Sequence, residues 1–171
     1  MRLSDGAVVP GNANADGGEV ARRIARFYDP YDAAISAAIG RANEAGQPPV
    51  IVTVHSFTPV WRGWPRPWHV GILWDADDRF AKPLLDSLSA EAGLVVGDNE
   101  PYDGALRGDT MYRHAIVNGF AHALIEIRQD LIAEESGADD WAKRLAPIVD
   151  AINRRSDIHE VKQYGSRTGP L

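Results

Sequence analysis

"VIVTVHSFTP", residues 50–59, decides how the rest of the chain is read. Five apolar or β-branched residues run without a break into His55, Ser56, Phe57, Thr58 and Pro59. An unbroken apolar run of that length predicts a buried strand with cover on both faces. The strand then closes on a histidine. Either His55 caps the strand and hydrogen-bonds locally, or it sits at the rim because something is coordinated there. Ser56 and Thr58 would supply groups that orient an imidazole for the second role.

Outward from this strand the chain alternates. Upstream, residues 1–17 are rich in Gly, Asn, Asp and Pro and read as loop. "EVARRIARFY" (19–28) spaces Val20, Ile24 and Phe27 along one helical face. "DPYDAAISAAIGRANEAG" (29–46) follows, with Asp29 placed as N-cap, Pro30 in the first helical position and Gly46 past the end. Downstream, "WHVGILW" (68–74) predicts a strand. "DADDRFAKPLLDSLSAEAG" (75–93) predicts a helix with an acidic first turn and a bend near Pro83. "LVVGD" (94–98) is a short strand, "NEPYDGALRGD" (99–109) a loop, and "TMYRHAIVNGF" (110–120) a helix ended by Gly119. "AHALIEIRQDL" (121–131) is a strand and "ADDWAKRLAPIVDAINRR" (138–155) an amphipathic helix, with a polar tail from about residue 156.

This order predicts one α/β domain over residues 1–171, a layered mixed sheet flanked by helices on both faces. Ligands of such sheets collect at the carboxyl ends of strands, where His55 and Asp98 both fall.

Composition narrows the function classes. A chain of 171 residues with 44% hydrophobic and 25% charged residues can bury a substantial core. Its net charge of −6 argues against a nucleic-acid partner, which needs a concentrated basic face. No apolar run is long enough to span a bilayer, and the amino terminus does not read as a secretory signal. There is no cysteine, so any metal must be held by His, Asp or Glu. These features favour the cytoplasm.

Glu126 is the second residue that stands out. Alternation in "ALIEIRQ" (123–129) puts it inside an apolar strand, where an unpaired carboxylate is costly. It is either the partner of Arg128, two residues on, or a general base whose pKa is raised by burial. Arg66, Arg113 and Arg128 can each clamp a carboxylate, as can Arg62, while Asn99 and Tyr102 follow a strand end. His69 suggests packing, His114 a solvated or capping role, His122 a local hydrogen bond, and His159 no role in the tail. Four of the five tryptophans fall between residues 61 and 74, a cluster covering the sheet edge or else a pocket wall.

Taken together, "SDGAVVPGN" (4–12), "HSFTPVWRGWPRPWHVGILW" (55–74), "GLVVGDNEPY" (93–102), "RHAIVNG" (113–119) and "IEIRQDLI" (125–132) resemble the N-formylglutamate amidohydrolases. The resemblance implies a fold similar to zinc carboxypeptidases, with His55 of "HSF" as a zinc ligand and Glu126 of "EIR" as general base. It implies hydrolysis of N-formyl-L-glutamate or a related N-acyl amino acid to formate and glutamate, a step of histidine catabolism, with Arg66, Arg113, Tyr102, Asn99 and Arg128 around the substrate. Family members carry a further amino-terminal segment in which the remaining metal ligands are expected, and this chain starts downstream of it. Relatives commonly have His after the Tyr of "DPYD", where this chain has Asp32. The competing expectation is a non-catalytic remnant that keeps an anion pocket, with an open sheet edge that would favour a homodimer.

Overall fold

The computed structural model describes residues 8–171, so residues 4–7 of the "SDGAVVPGN" stretch lie outside the described residues. The chain divides into two compact units, one ending at Ala45 and one running from Gly46 to Leu171.

The first unit is helical. Asp16 is the N-cap, accepting a 2.7 Å bond from the Glu19 amide, and α1 (Gly17–Arg23) runs through a π-helical turn (Ile24–Tyr28) into α2 (Asp29–Glu44). Asp29, expected as a cap, is instead inside the run, with φ −59° and its N–H reaching back to the Ile24 carbonyl. Pro30 lacks an N–H and crowds the carbonyl four residues earlier. A widened turn just ahead of it carries the helix past the proline without a stop.

The second unit is built on a four-stranded mixed sheet in the order β1-β6-β4-β5. These strands are β1 (Ile51–Phe57), β4 (Val70–Leu73), β5 (Val96–Asp98) and β6 (His122–Arg128). β1 runs parallel to β6, β4 antiparallel to β6, and β5 parallel to β4. A small hairpin, β2 (Val60–Trp61) with β3 (Trp64–Pro65), turns at Arg62 and Gly63, both at positive φ. The helices α3 (Ala81–Ser89) and α4 (Glu135–Asn153) bring Leu84, Leu88, Trp141, Leu145 and Ile152 into one core with Val70, Ile72, Ala123, Ile125 and Ile127. That face is dry. Leu73 and Phe57, which alternation turns the other way, are buried outside this cluster.

Four expectations are corrected. β1 is not covered on both faces: it is an edge strand among the described residues, and Val54 is 60% exposed. Its apolar run reflects β propensity more than double burial. The helix expected over 75–93 is confined to Ala81–Ser89, because its acidic start is used otherwise. Asp75 is buried and accepts bonds from the Ser166 hydroxyl and the Arg167 amide, while Asp77 grips Arg79. The segment from residue 156, read as a polar tail, is fastened as a strap. Ile158 enters the core, Lys162 N–H bonds to the Gly119 carbonyl, and buried Arg79 donates to the carbonyls of Asp157 and Glu160. His159, expected to be idle, bonds the carbonyls of Pro48 and Asn153.

Candidate active site

Four register partners cross the sheet in one line: His55 on β1, Glu126 on β6, Gly71 on β4 and Gly97 on β5. Partners in register point to the same face, here the face opposite Ile125 and Ile127. One half of the line therefore carries an imidazole and a carboxylate, and the other half is bare.

The bare half is filled by loop 99–104. A Cβ on Gly71 would collide with the Glu100 carbonyl, and one on Gly97 would stand 2.5 Å from that same oxygen. The two glycines thus let the loop settle onto the sheet beside Glu126. Asn99, at φ 52°, accepts 3.0 Å bonds from the amides of Trp74 and Gly104 and closes the loop on the end of β4.

Glu126 is 6% exposed, and its Oε1 lies 4.0 Å from Nδ1 of His55, whose side chain is 58% exposed. Among the described residues its Oε2 has no hydrogen-bond partner. Burial pushes the Glu126 carboxyl above its ordinary pKa, against the smaller pulls of His55 and Arg66. The expected alternative, a pair with Arg128, is not formed. Thr53 Oγ1 and His122 Nε2 are also buried without a partner, and alternation places both on this same face of β1 and β6.

Arg66 stands behind the carboxylate. It is buried, and its Nη1 donates to the Tyr102 hydroxyl at 3.0 Å and to the Thr58 carbonyl at 3.4 Å. Its guanidinium carbon lies 5.0 Å from the Tyr102 ring, 5.2 Å from Trp61 and 5.7 Å from Phe57. Trp61 thus packs on Arg66, while Trp64 is 78% exposed. The segment "RGWPRPW" and the loop "GDNEPYDG" meet through Arg66 and Tyr102.

Other candidate residues are engaged elsewhere. Arg128 pairs with Asp130 and donates to the carbonyls of Arg66, Pro67 and Trp68, which ties that segment to the end of β6. Asn99 holds the loop, as above. Arg113 is exposed on the π-helical turn Tyr112–Ile116. Asp98 accepts a 2.6 Å bond from the Trp74 indole. His69 accepts from the Val95 amide, and His122 bonds the Phe120 carbonyl. His114, expected to be solvated, is buried.

A zinc centre needs about three protein ligands. Among the described residues no group of three or more His, Asp or Glu comes together to hold a metal. One exposed imidazole beside one buried carboxylate does not complete such a shell, so the residues present do not fit a whole metal site.

The fold and this pairing define an α/β domain with an imidazole and a buried carboxyl side by side on one face of its sheet. Residues 1–133 match the sequence model of the N-formylglutamate amidohydrolases, and the chain belongs to that family. It is similar to the crystal structure of gene product Atu2144 from Agrobacterium tumefaciens, with 36% identity and a TM-score of 0.80, covering 92% of this chain and 62% of that one. It is also similar to the N-formylglutamate amidohydrolase from Ralstonia eutropha JMP134, with 25% identity and a TM-score of 0.56, covering 80% of this chain and 55% of that one. The chain therefore spans less than two thirds of either protein. No curated protein sequence matches it. No helix among the described residues is long and apolar enough to cross a membrane.

Proposed function

We propose that this chain acts in hydrolysis of the amide C–N bond of N-formyl-L-glutamate or a related N-acyl amino acid, with Glu126 moving the proton. The observation that carries the reading is the buried Glu126 carboxylate with one oxygen unpartnered. Such a group is costly to fold around, and its raised pKa suits it to take a proton from an attacking water and return it to the departing amine. Arg66 supplies the positive charge and Tyr102 the hydroxyl against which a substrate carboxylate would lie, with Trp61 and Phe57 excluding water behind them.

A divalent metal, zinc by the preference of imidazole, is proposed as the partner of His55. The described residues do not complete its shell. That same shortfall favours a second reading, a module that binds the amino-acid carboxylate without turning it over.

The test is formate release from N-formyl-L-glutamate by the purified chain, with and without added zinc, beside Glu126→Gln. A loss of at least about a hundredfold in Glu126→Gln supports the hydrolase. Binding of L-glutamate with no formate from the wild type supports the module. Neither binding nor turnover rejects both.

A further inference from the structure

The loop that carries Tyr102 is held from the sheet side by Gly71, Gly97 and Asn99. It is also held from the opposite end of the chain. Arg167 donates to both Asp103 oxygens, at 3.1 Å and 2.5 Å, to the Trp74 carbonyl at 2.9 Å and to the Asp75 carbonyl at 3.3 Å. Its own amide donates at 2.8 Å to the Asp75 carboxylate, which also accepts from the Ser166 hydroxyl. Asp75 is only 1% exposed, so this anchor is a buried carboxyl whose oxygens are bonded by the strap itself. Asp103 is one residue from Tyr102, and its Oδ1 also accepts from the Ala105 amide.

We propose that Arg167 is a positioning residue, fixing loop 99–104 through Asp103 so that Tyr102 stays on Arg66. The two-pronged guanidinium–carboxylate contact sets orientation as well as distance, which a single hydrogen bond would not. The loop is short and turn-rich, and Arg167 adds a second tie to its outer half beside the Asn99 bonds that hold Gly104 and Trp74. The strap lies beyond residues 1–133, the part that matches the family model. Arg167 touches neither Glu126 nor Arg66 in this arrangement; it acts through the loop.

The proposal rests on the amidohydrolase reading only for its effect on substrate, and the test separates the two. In the full chain, Arg167→Met, Asp103→Asn and the double variant are compared by hydrogen exchange of the amides of residues 99–106 and of β6. Arg167→Met is expected to raise exchange at Gly104 and Ala105 about tenfold while β6 stays protected. The double variant should add little to Arg167→Met, which already removes the contact with Asp103. Where formate release is measurable, KM rises severalfold with kcat nearly constant. Unchanged loop exchange, an equal rise throughout β6, or additive effects of the two substitutions would overturn the proposal. Absence of formate from every chain counts against the hydrolase, and loop exchange still decides the role of Arg167.

Discussion

His55 and Glu126 are register partners on adjacent parallel strands, with Nδ1 of one 4.0 Å from Oε1 of the other. The gap is too long for a hydrogen bond. It is short enough for the imidazole, when protonated, to pull the carboxyl pKa down. Burial pushes harder in the other direction, so the net shift is upward. An exposed imidazole thus stands beside a buried carboxyl whose Oε2 has no hydrogen-bond partner among the described residues.

The stability of the fold should register that upward shift. A carboxyl with a folded pKa above its unfolded value stabilises the fold only when protonated. Its contribution is complete below the unfolded value, about 4.3 for glutamate, and is lost as pH rises through the folded one. Glu126→Gln, which never ionises, is therefore expected to be more stable than wild type at neutral pH. The advantage should vanish in acid. Urea denaturation of both proteins at pH 7 and at pH 4 reads this directly; an equal gap at both would refute it.

Activity should carry the same signature. If Glu126 must be ionised to accept a proton, the acid limb of the formate-release profile lies above the ordinary carboxylate range. A limb at or below that range would assign the titration to another group.

Arg66 touches three aromatic rings and the Tyr102 hydroxyl. Arg66→Ala is expected to weaken L-glutamate binding, followed by calorimetry, at least about tenfold. Arg66→Lys should not restore it, because an ammonium lacks the flat guanidinium that lies against the three rings.

Gly71→Ala should be costly out of proportion to one methyl. The added carbon meets a backbone carbonyl rather than a yielding side chain, so about 1–3 kcal/mol is expected by denaturant unfolding. Gly40→Ala, in α2 with nothing within 4 Å of the new carbon, should be neutral or stabilising. Similar costs at the two positions would remove the argument that the loop rests on the sheet at Gly71.

Arg79 and Asp77 form a buried pair, and Arg79 also ties the strap through the carbonyls of Asp157, Glu160 and Gly119. Arg79→Ala leaves Asp77 buried and uncompensated, and a loss of about 3–5 kcal/mol is expected from thermal or urea unfolding. Loss of less than about 1 kcal/mol would show that the strap is held without it.

Much of the fold was legible because strands and helices write their period into the chain. The alternation in "ALIEIRQ" singled out Glu126, and the apolar run of "VIVTV" ended on His55. The resemblance implied Arg66 and Tyr102 around one substrate, and the fold sets the two in contact. The misread aspartates and the unformed Arg128 alternative share one cause. Asp29, Asp75 and Asp77 looked like helix-start charges, and Arg128 looked like the partner of Glu126, because local rules assign a polar residue to its nearest neighbours. Isolated glycines in two strands were the available signal for a close backbone approach, and they were passed over.

By itself, then, the sequence determined the element types, the carboxylate buried in an apolar strand, and the family to which the chain belongs. These follow from residue patterns within a few positions of one another. Only the tertiary structure decided the strand order that sets His55 beside Glu126 and Glu126 beside Gly71, and the long reach of Arg167 back to Asp103. Such contacts join residues about 55–70 apart along the chain, and no local preference encodes which distant partner a charged group will find; burial of the core and satisfaction of its polar atoms select it.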